Sequence, residues 1–190
     1  MSEFTDALEQ ACGGLPPEHA EALEAHYRLL TRWNRVINLT RVEDLREAVE
    51  RHYGESLFLA AHLPAGVLRV ADVGSGAGFP GLPIAVVRPE CAVTLIESHQ
   101  RKAVFLREAS RGMKNVRVLA VRAEAVREEF DWAVTRAVKM EPMAGILSRM
   151  AAHIGVLGGG EVGRAGGVEW QEPIRLPWGE ARFLWMGRRL

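Results

Sequence analysis

An α/β fold of the Rossmann-like kind, built on a mostly parallel sheet, is predicted for this chain by three features. Short apolar runs alternate with amphipathic runs from Val67 onward. A glycine-rich turn, Asp72-Val73-Gly74-Ser75-Gly76-Ala77-Gly78-Phe79-Pro80-Gly81, closes the first of those apolar runs. A second acid, Glu97, closes the next one. Strands and helices alternating at this spacing form parallel strands with helices over both faces.

The elements follow in order. Residues 1–66 read as a helical extension and residues 67–190 as the α/β domain, with the boundary at Pro64-Ala65-Gly66. After Pro16-Pro17, the residues Leu23, Tyr27, Leu30, Asn34 and Ile37 recur at the spacing of one helix face. Asp44 has Glu47 three residues on, a capping-box spacing, and Leu45, Val49, His52 and Leu57 carry a second amphipathic helix. Beyond the boundary, strands are expected over 67–73, 92–96, 115–121 and 131–134. Helices are expected over 80–87, stopped before Pro89, over 101–111, closed by Gly112, and over 142–154. The stretch 155–167 holds seven glycines. Two strands, 168–176 and 182–187, then make a hairpin around Pro177-Trp178-Gly179-Glu180.

Composition narrows the function classes. With 190 residues, 48% hydrophobic and 25% charged, the chain has enough apolar surface for a core and is not disordered. Cys12 and Cys91 stand far apart, which gives neither a disulfide framework nor metal-ligand spacing, and a reducing cytoplasm is the expected compartment. No apolar run spans a membrane, and the acidic N-terminus is not a signal peptide. The net charge of zero is a sum of opposites: residues 1–66 hold 11 acids and 6 bases, residues 67–190 hold 13 acids and 18 bases. Of the 24 bases only Lys102, Lys114 and Lys139 are lysines. Zero alone argues against a nucleic-acid partner; its distribution permits one.

The glycine turn carries the strongest chemical signal. Glycines there let the backbone turn tightly and approach a ligand, and the helix start offers free N–H groups. Counted from Gly76, the turn fits the dinucleotide pattern of an NAD-linked oxidoreductase. Counted from Asp72, it reads acid-x-Gly74-x-Gly76-x-Gly78, the motif of S-adenosylmethionine methyltransferases. Gly74 follows the apolar run directly, which favours the second register and gives Asp72 a task, facing the cofactor's ammonium. Glu97, 23 residues after Gly74, suits a ribose diol under either register. Glu124, after Arg122-Ala123, stands where adenine would lie, and serves equally as a helix N-terminal acid.

The run 72–89 resembles the RsmG (glucose-inhibited division protein B) family of 16S ribosomal RNA guanine-N7 methyltransferases. Trp33-Asn34-x-x-x-Asn38-Leu39-Thr40, Arg51-His52-x-x-Glu55-Ser56-Leu57 and Thr135-Arg136-Ala137 are similar to further motifs of that family, with Glu55 in place of its Asp. The resemblance covers roughly residues 20–140. It implies a class I methyltransferase fold, a mostly parallel seven-stranded sheet ending in an antiparallel hairpin, with an N-terminal helical extension. It implies a cofactor site at Gly74, Phe79, Ala123, Glu124 and Arg136, with Glu97 on the ribose, and methylation of 16S rRNA at guanine N7. The chain departs from the family after the fifth strand: no Lys follows, and Gly158-Gly159-Gly160 runs almost directly to the hairpin without a crossover helix.

Guanine N7 has a lone pair and no proton, so no general base is expected. Arg136 is the expected positioning residue, holding guanine O6, the cofactor or a phosphate; a structural ion pair is the alternative. Glu55 is a candidate to face the cationic product. RNA would meet the basic group over 98–127, led by Arg101 and Lys102, with Asn34, Asn38 and His52 at the same mouth. The expected partner is 16S rRNA or the 30S particle, met by a monomer without metal or membrane. The rival readings are a methyltransferase of a small molecule or protein, an NAD-linked oxidoreductase, and a non-catalytic RNA-binding module.

Overall fold

The computed structural model describes residues 2–42, 44–136, 140–160, 162 and 167–190, without the side chains of 140–142. Ala137 of the Thr135-Arg136-Ala137 motif therefore lies outside the described residues. An eight-stranded sheet organises the chain: β1 (Arg69–Val73), β2 (Ala92–Ile96), β3 (Val116–Leu119), β4 (Phe130–Arg136), β5 (Ala151–Gly158), β6 (Val168–Trp170), β7 (Ile174–Arg175) and β8 (Phe183–Arg189). The order is β3-β2-β1-β4-β5-β8-β6, with β7 also on β8. The first five strands pair in parallel, and β8 enters antiparallel between β5 and β6.

The expected seven strands become eight because one arm of the hairpin is broken. Trp170 opposes Gly187 and Ile174 opposes Leu184, so the β6–β7 arm carries one extra residue, a bulge. The connection after β5 lacks a crossover helix within its described residues, yet β6 still lies outside β8.

One expected helix is corrected. Helix α7 (Met140–Met150) ends before 154, and the next residues form β5, paired to β4 on one side and β8 on the other. A buried central strand and a helix share the same apolar run over such a length. Gly155 is the giveaway in retrospect. A Cβ there would lie 3.4 Å from both Leu59 and Val134, so the missing side chain lets a helix sit close on the sheet.

The extension begins with α1 (Glu3–Cys12), a helix the sequence reading did not include. Ser2 and Thr5 cap it reciprocally, and Phe4 and Leu8 bury its inner face. Then comes α2 (Pro17–Asn34). The second expected helix is one continuous rod in three parts: α3 (Leu45–Ala48), a π-helical turn (Val49–Gly54) and α4 (Glu55–His62). Asp44 caps it through Glu47 N–H at 2.8 Å, as its spacing suggested. His52, Tyr53, Gly54, Glu55, Ser56 and Leu57 are all buried in succession, because neighbouring parts of the fold enclose the rod on several sides.

These helices share a core with the sheet. Phe4, Leu8, Leu23, Leu30 and Tyr53 join Val70, Leu95 and Leu184 on the sheet face also covered by α5 (Gly81–Val87) and α6 (Gln100–Ala109). The other face packs Ala71, Val73, Ala133 and Ile154 under α7. Arg88, just past α5, donates to the carbonyls of Ala60, Leu63, Pro64 and Gly66, satisfying the end of α4 and fixing the connection into β1.

Trp178 of the hairpin turn lies flat over Gly54. A Cβ on Gly54 would stand 2.9–3.1 Å from three atoms of that indole. Gly54→Ala is therefore expected to destabilise the fold by about 1–3 kcal/mol in urea denaturation. The cost should shrink markedly in a Trp178→Ala background; an equal cost in both backgrounds would contradict the packing.

Candidate active site

The glycine turn joins β1 to α5 at the C-terminal end of the sheet, where ligands of open α/β folds bind. Gly74, Gly76 and Gly78 take φ values of 74°, 57° and 92°, the left-handed region that other residues avoid. Leu82 sits against Gly78 where a Cβ would be. The turn's amides are used in order. Gly74 and Ser75 donate to Ile96 O, Gly76 to Glu97 Oε2 at 2.9 Å, and Gly78 and Phe79 to Ser75 O. Among the described residues, the Ala77 amide has no such partner.

Glu97 is held at the end of β2 by two N–H groups, from Gly76 and from His99 at 2.7 Å. Each carboxylate oxygen takes one of them and keeps a further acceptor site. It stands beside the turn, as its spacing predicted.

Asp72 finds a different partner from the expected one. Side chains alternate along a strand, so Asp72 shares the face of Val70, beneath α5. Its carboxylate is fully buried and accepts from Gly81 N–H at 2.9 Å, clamping the far end of the turn. The second oxygen, Oδ1, is buried without a hydrogen-bond partner among the described residues. Burial raises the Asp72 pKa to about 7, against the opposing pull of the Gly81 amide.

Phe79 turns its ring inward. It lies stacked on His52 with centroids 4.8 Å apart and edge-on to His26 and Tyr53. The Arg136 guanidinium carbon is 6.0 Å from the ring centroid. His52 is 4% exposed, so its expected place at the RNA mouth is corrected to a place behind Phe79. Its Nε2 pairs with Thr40 Oγ1 at 2.8 Å. Asn34 is likewise a local cap, its Oδ1 accepting from Leu39 and Thr40 N–H at 2.8 and 2.9 Å. Asn38 and Arg101 are exposed and Lys102 half-buried. Ala123 and Glu124 occupy a short 3₁₀ turn (Ala123–Ala125) after β3, with Glu124 exposed.

Arg136 ends β4 and pairs with Glu55, Nε to Oε2 at 3.2 Å. Glu55 is fully buried and also receives a two-pronged contact from Arg182, including Nη2 to Oε2 at 2.7 Å. Burial lowers the Arg136 pKa and Glu55 opposes that shift; a guanidinium stays charged throughout. Both Glu55 oxygens are engaged, so it is not an open carboxylate. Thr135 donates to Val73 O at 2.8 Å, tying the end of β4 to the start of the turn. Arg182 and His26 belong to the site and were missed. Arg182 is 127 residues from Glu55 in the chain. No spacing motif reports such a pair. Among the described residues no group of three or more His, Cys, Asp or Glu gathers as a metal site, and no helix is long and apolar enough to cross a membrane.

Comparison with known proteins places the chain in a family and shows its likeness in fold to a solved structure. The model of the GidB family, described as rRNA small subunit methyltransferase G, matches residues 19–157. Ribosomal RNA small subunit methyltransferase G of Xanthomonas campestris pv. campestris is 40% identical over 87% of this chain and 77% of its own length. That of Halorhodospira halophila is 44% identical over 67% of this chain and 60% of its own length. In fold, the chain is similar to a SAM-dependent methyltransferase from Aquifex aeolicus, with a TM-score of 0.63 at 18% identity, covering 80% of this chain and 97% of the other.

Two outcomes follow from the buried charges. Glu55→Gln leaves two guanidiniums without their carboxylate and is expected to cost about 3–5 kcal/mol in chemical denaturation. The second concerns pH. Burial lowers the pKa of His26 to about 4 and of His52 to about 3, from 6.5. The unfolded chain then binds more protons at these two sites, so they lose stability as pH falls below about 6.5. Asp72, raised from 3.8 to about 7, acts oppositely: it loses stability as pH rises through that window. Two histidines outweigh one carboxyl, so stability should rise between about pH 4 and 6.5. Urea titrations across that range should show a shallower slope for His26→Phe and a steeper one for Asp72→Asn.

Proposed function

The chain belongs to the rRNA small subunit methyltransferase G family, and on that premise we propose that it methylates N7 of a guanine in 16S ribosomal RNA, with S-adenosylmethionine as cofactor. The observation that carries the reading is the turn at Gly74, Gly76 and Gly78, flanked by Glu97 at the end of the neighbouring strand. Three left-handed glycines bring backbone within reach of a ligand, and Glu97 keeps an acceptor site on each oxygen for a ribose diol.

The residues present suit the cofactor. The Ala77 amide offers a donor within the turn. Glu97 holds the ribose, the Ala123–Glu124 segment borders the base, and the Phe79 backbone with Arg136 closes the end near β4. Asp72 acts from below, by fixing Gly81. When bound, S-adenosylmethionine supplies a methyl group made electrophilic by its sulfonium.

What the chain contributes is placement. Guanine N7 brings its own lone pair, so the protein needs no general base. Arg136, gripped by Glu55 through Nε, has two terminal nitrogens without a partner among the described residues, and these hold the guanine at O6. Glu55 does not face the product, because two arginines already occupy it. Arg101, Lys102 and Asn38 serve the RNA, with backbone phosphates as the partners of the basic side chains. Residues 1–66 act as an extension of the methyltransferase domain formed by 67–190. The working unit is a monomer in the cytoplasm, free of metal, on 16S rRNA or the 30S particle.

The test is transfer of tritium from labelled S-adenosylmethionine to naked 16S rRNA and to 30S particles, followed by chain cleavage at 7-methylguanosine. Label in N7 of a guanine is the expected result; label confined to a small metabolite or a protein would overturn the proposal. Arg136→Lys keeps the pair with Glu55 but loses the fork, and should lower kcat/KM about a hundredfold while the fold persists.

A further inference from the structure

His26 reaches the glycine turn from outside the α/β domain. It sits on α2, is 7% exposed, and uses both ring nitrogens. Nε2 lies 3.0 Å from Ala77 O, and Nδ1 lies 2.9 Å from Tyr53 Oη. A carbonyl oxygen only accepts, so Nε2 carries the proton. Burial keeps the ring neutral, its pKa lowered to about 4, so Nδ1 is an acceptor and Tyr53 donates to it. The chain of bonds therefore has one direction: Tyr53 Oη–H to His26 Nδ1, then His26 Nε2–H to Ala77 O.

Its end point matters. Ala77 lies between Gly76 and Gly78, two of the turn's three left-handed glycines. Its amide is also the turn donor left open among the described residues. Gripping its carbonyl fixes the backbone that aims that amide. Tyr53 in turn is set by the π-helical turn and by Phe4, Tyr27 and Phe79 around its ring. Both donors belong to the helical extension, and neither titrates near neutral pH, since burial also raises Tyr53 well above its ordinary value.

We propose that His26, oriented by Tyr53, is a positioning residue for the cofactor turn, so that the helical extension sets affinity for the cofactor as well as packing on the domain. This rests on the S-adenosylmethionine reading above. His26→Phe keeps the aromatic bulk and removes the donor to Ala77. Tyr53→Phe removes the orienting proton and leaves the ring. His26→Gln returns an N–H to the place of Nε2.

The full chain and its variants are titrated with S-adenosylhomocysteine by calorimetry, alongside binding of 16S rRNA. His26→Phe is expected to weaken the cofactor product about five- to tenfold, and Tyr53→Phe about two- to fivefold. The double variant should bind no more weakly than His26→Phe alone, because the two bonds act in series. His26→Gln should recover most of the affinity. In turnover, KM for S-adenosylmethionine should rise while kcat and RNA affinity hold. Unchanged cofactor affinity in folded His26→Phe, additive effects in the double variant, or no recovery in His26→Gln would each overturn the inference. If His26→Phe does not fold, Tyr53→Phe and His26→Gln decide it alone. A parent chain that binds no S-adenosylhomocysteine would bring down the cofactor reading together with this one.

Discussion

Four consecutive buried residues, 52–55, tie the separate parts of the molecule to one another. In a regular amphipathic helix, consecutive side chains cannot all face one way. Here the helix is enclosed all round where the π-helical turn passes into α4, so four neighbours point different ways and each meets a different part of the fold. His52 stacks on Phe79 of the glycine turn. Tyr53 reaches His26, Gly54 admits Trp178 of the hairpin, and Glu55 gathers Arg136 and Arg182. The extension, the glycine turn, the end of β4 and the C-terminal hairpin thus meet within four residues. Single-turn π segments recur at functional sites, and this one ends where those contacts converge.

Legibility in the sequence followed the range of the interactions. The glycine turn was readable because its causes are local: an apolar run, three glycines where φ turns positive, and an acid on the next strand. Asp44 as a helix cap was readable for the same reason. The bond from Gly81 to Asp72 was not read, although strand alternation pointed to it: the position shares the face of Val70, under α5, and so lies beneath the turn. The strand from Ala151 hid inside an expected helix because its apolar run has no clean period, and because Gly155 reads as a breaker until Leu59 is seen packed over it. His26 could not be read at all. Its partners are 27 and 51 residues away, and a lone histidine on a helix face resembles any other core residue.

The zero net charge gains a structural meaning. Acids and bases do not simply cancel across two halves. Glu55 of the acidic extension, a fully buried carboxylate, is matched by two arginines from the basic domain, so charge opposition is part of what seats one on the other. Such a cluster contributes little net stability compared with apolar packing of the same volume. Its value is geometric, since it fixes where the Arg136 guanidinium stands relative to the glycine turn.

The position of β8 has a consequence for how the protein is made. This strand follows β6 in the chain but lies between β5 and β6, so the edge of the sheet stays incomplete until it emerges. Glu55 waits longer still. At about 5–20 residues per second, the 127 residues separating it from Arg182 take on the order of ten seconds to synthesise. Throughout that interval the carboxylate is without its two-pronged partner, and water is its better neighbour. Glu55 precedes its partner by most of the chain, so this one contact between extension and hairpin can close only after the hairpin turn has been made.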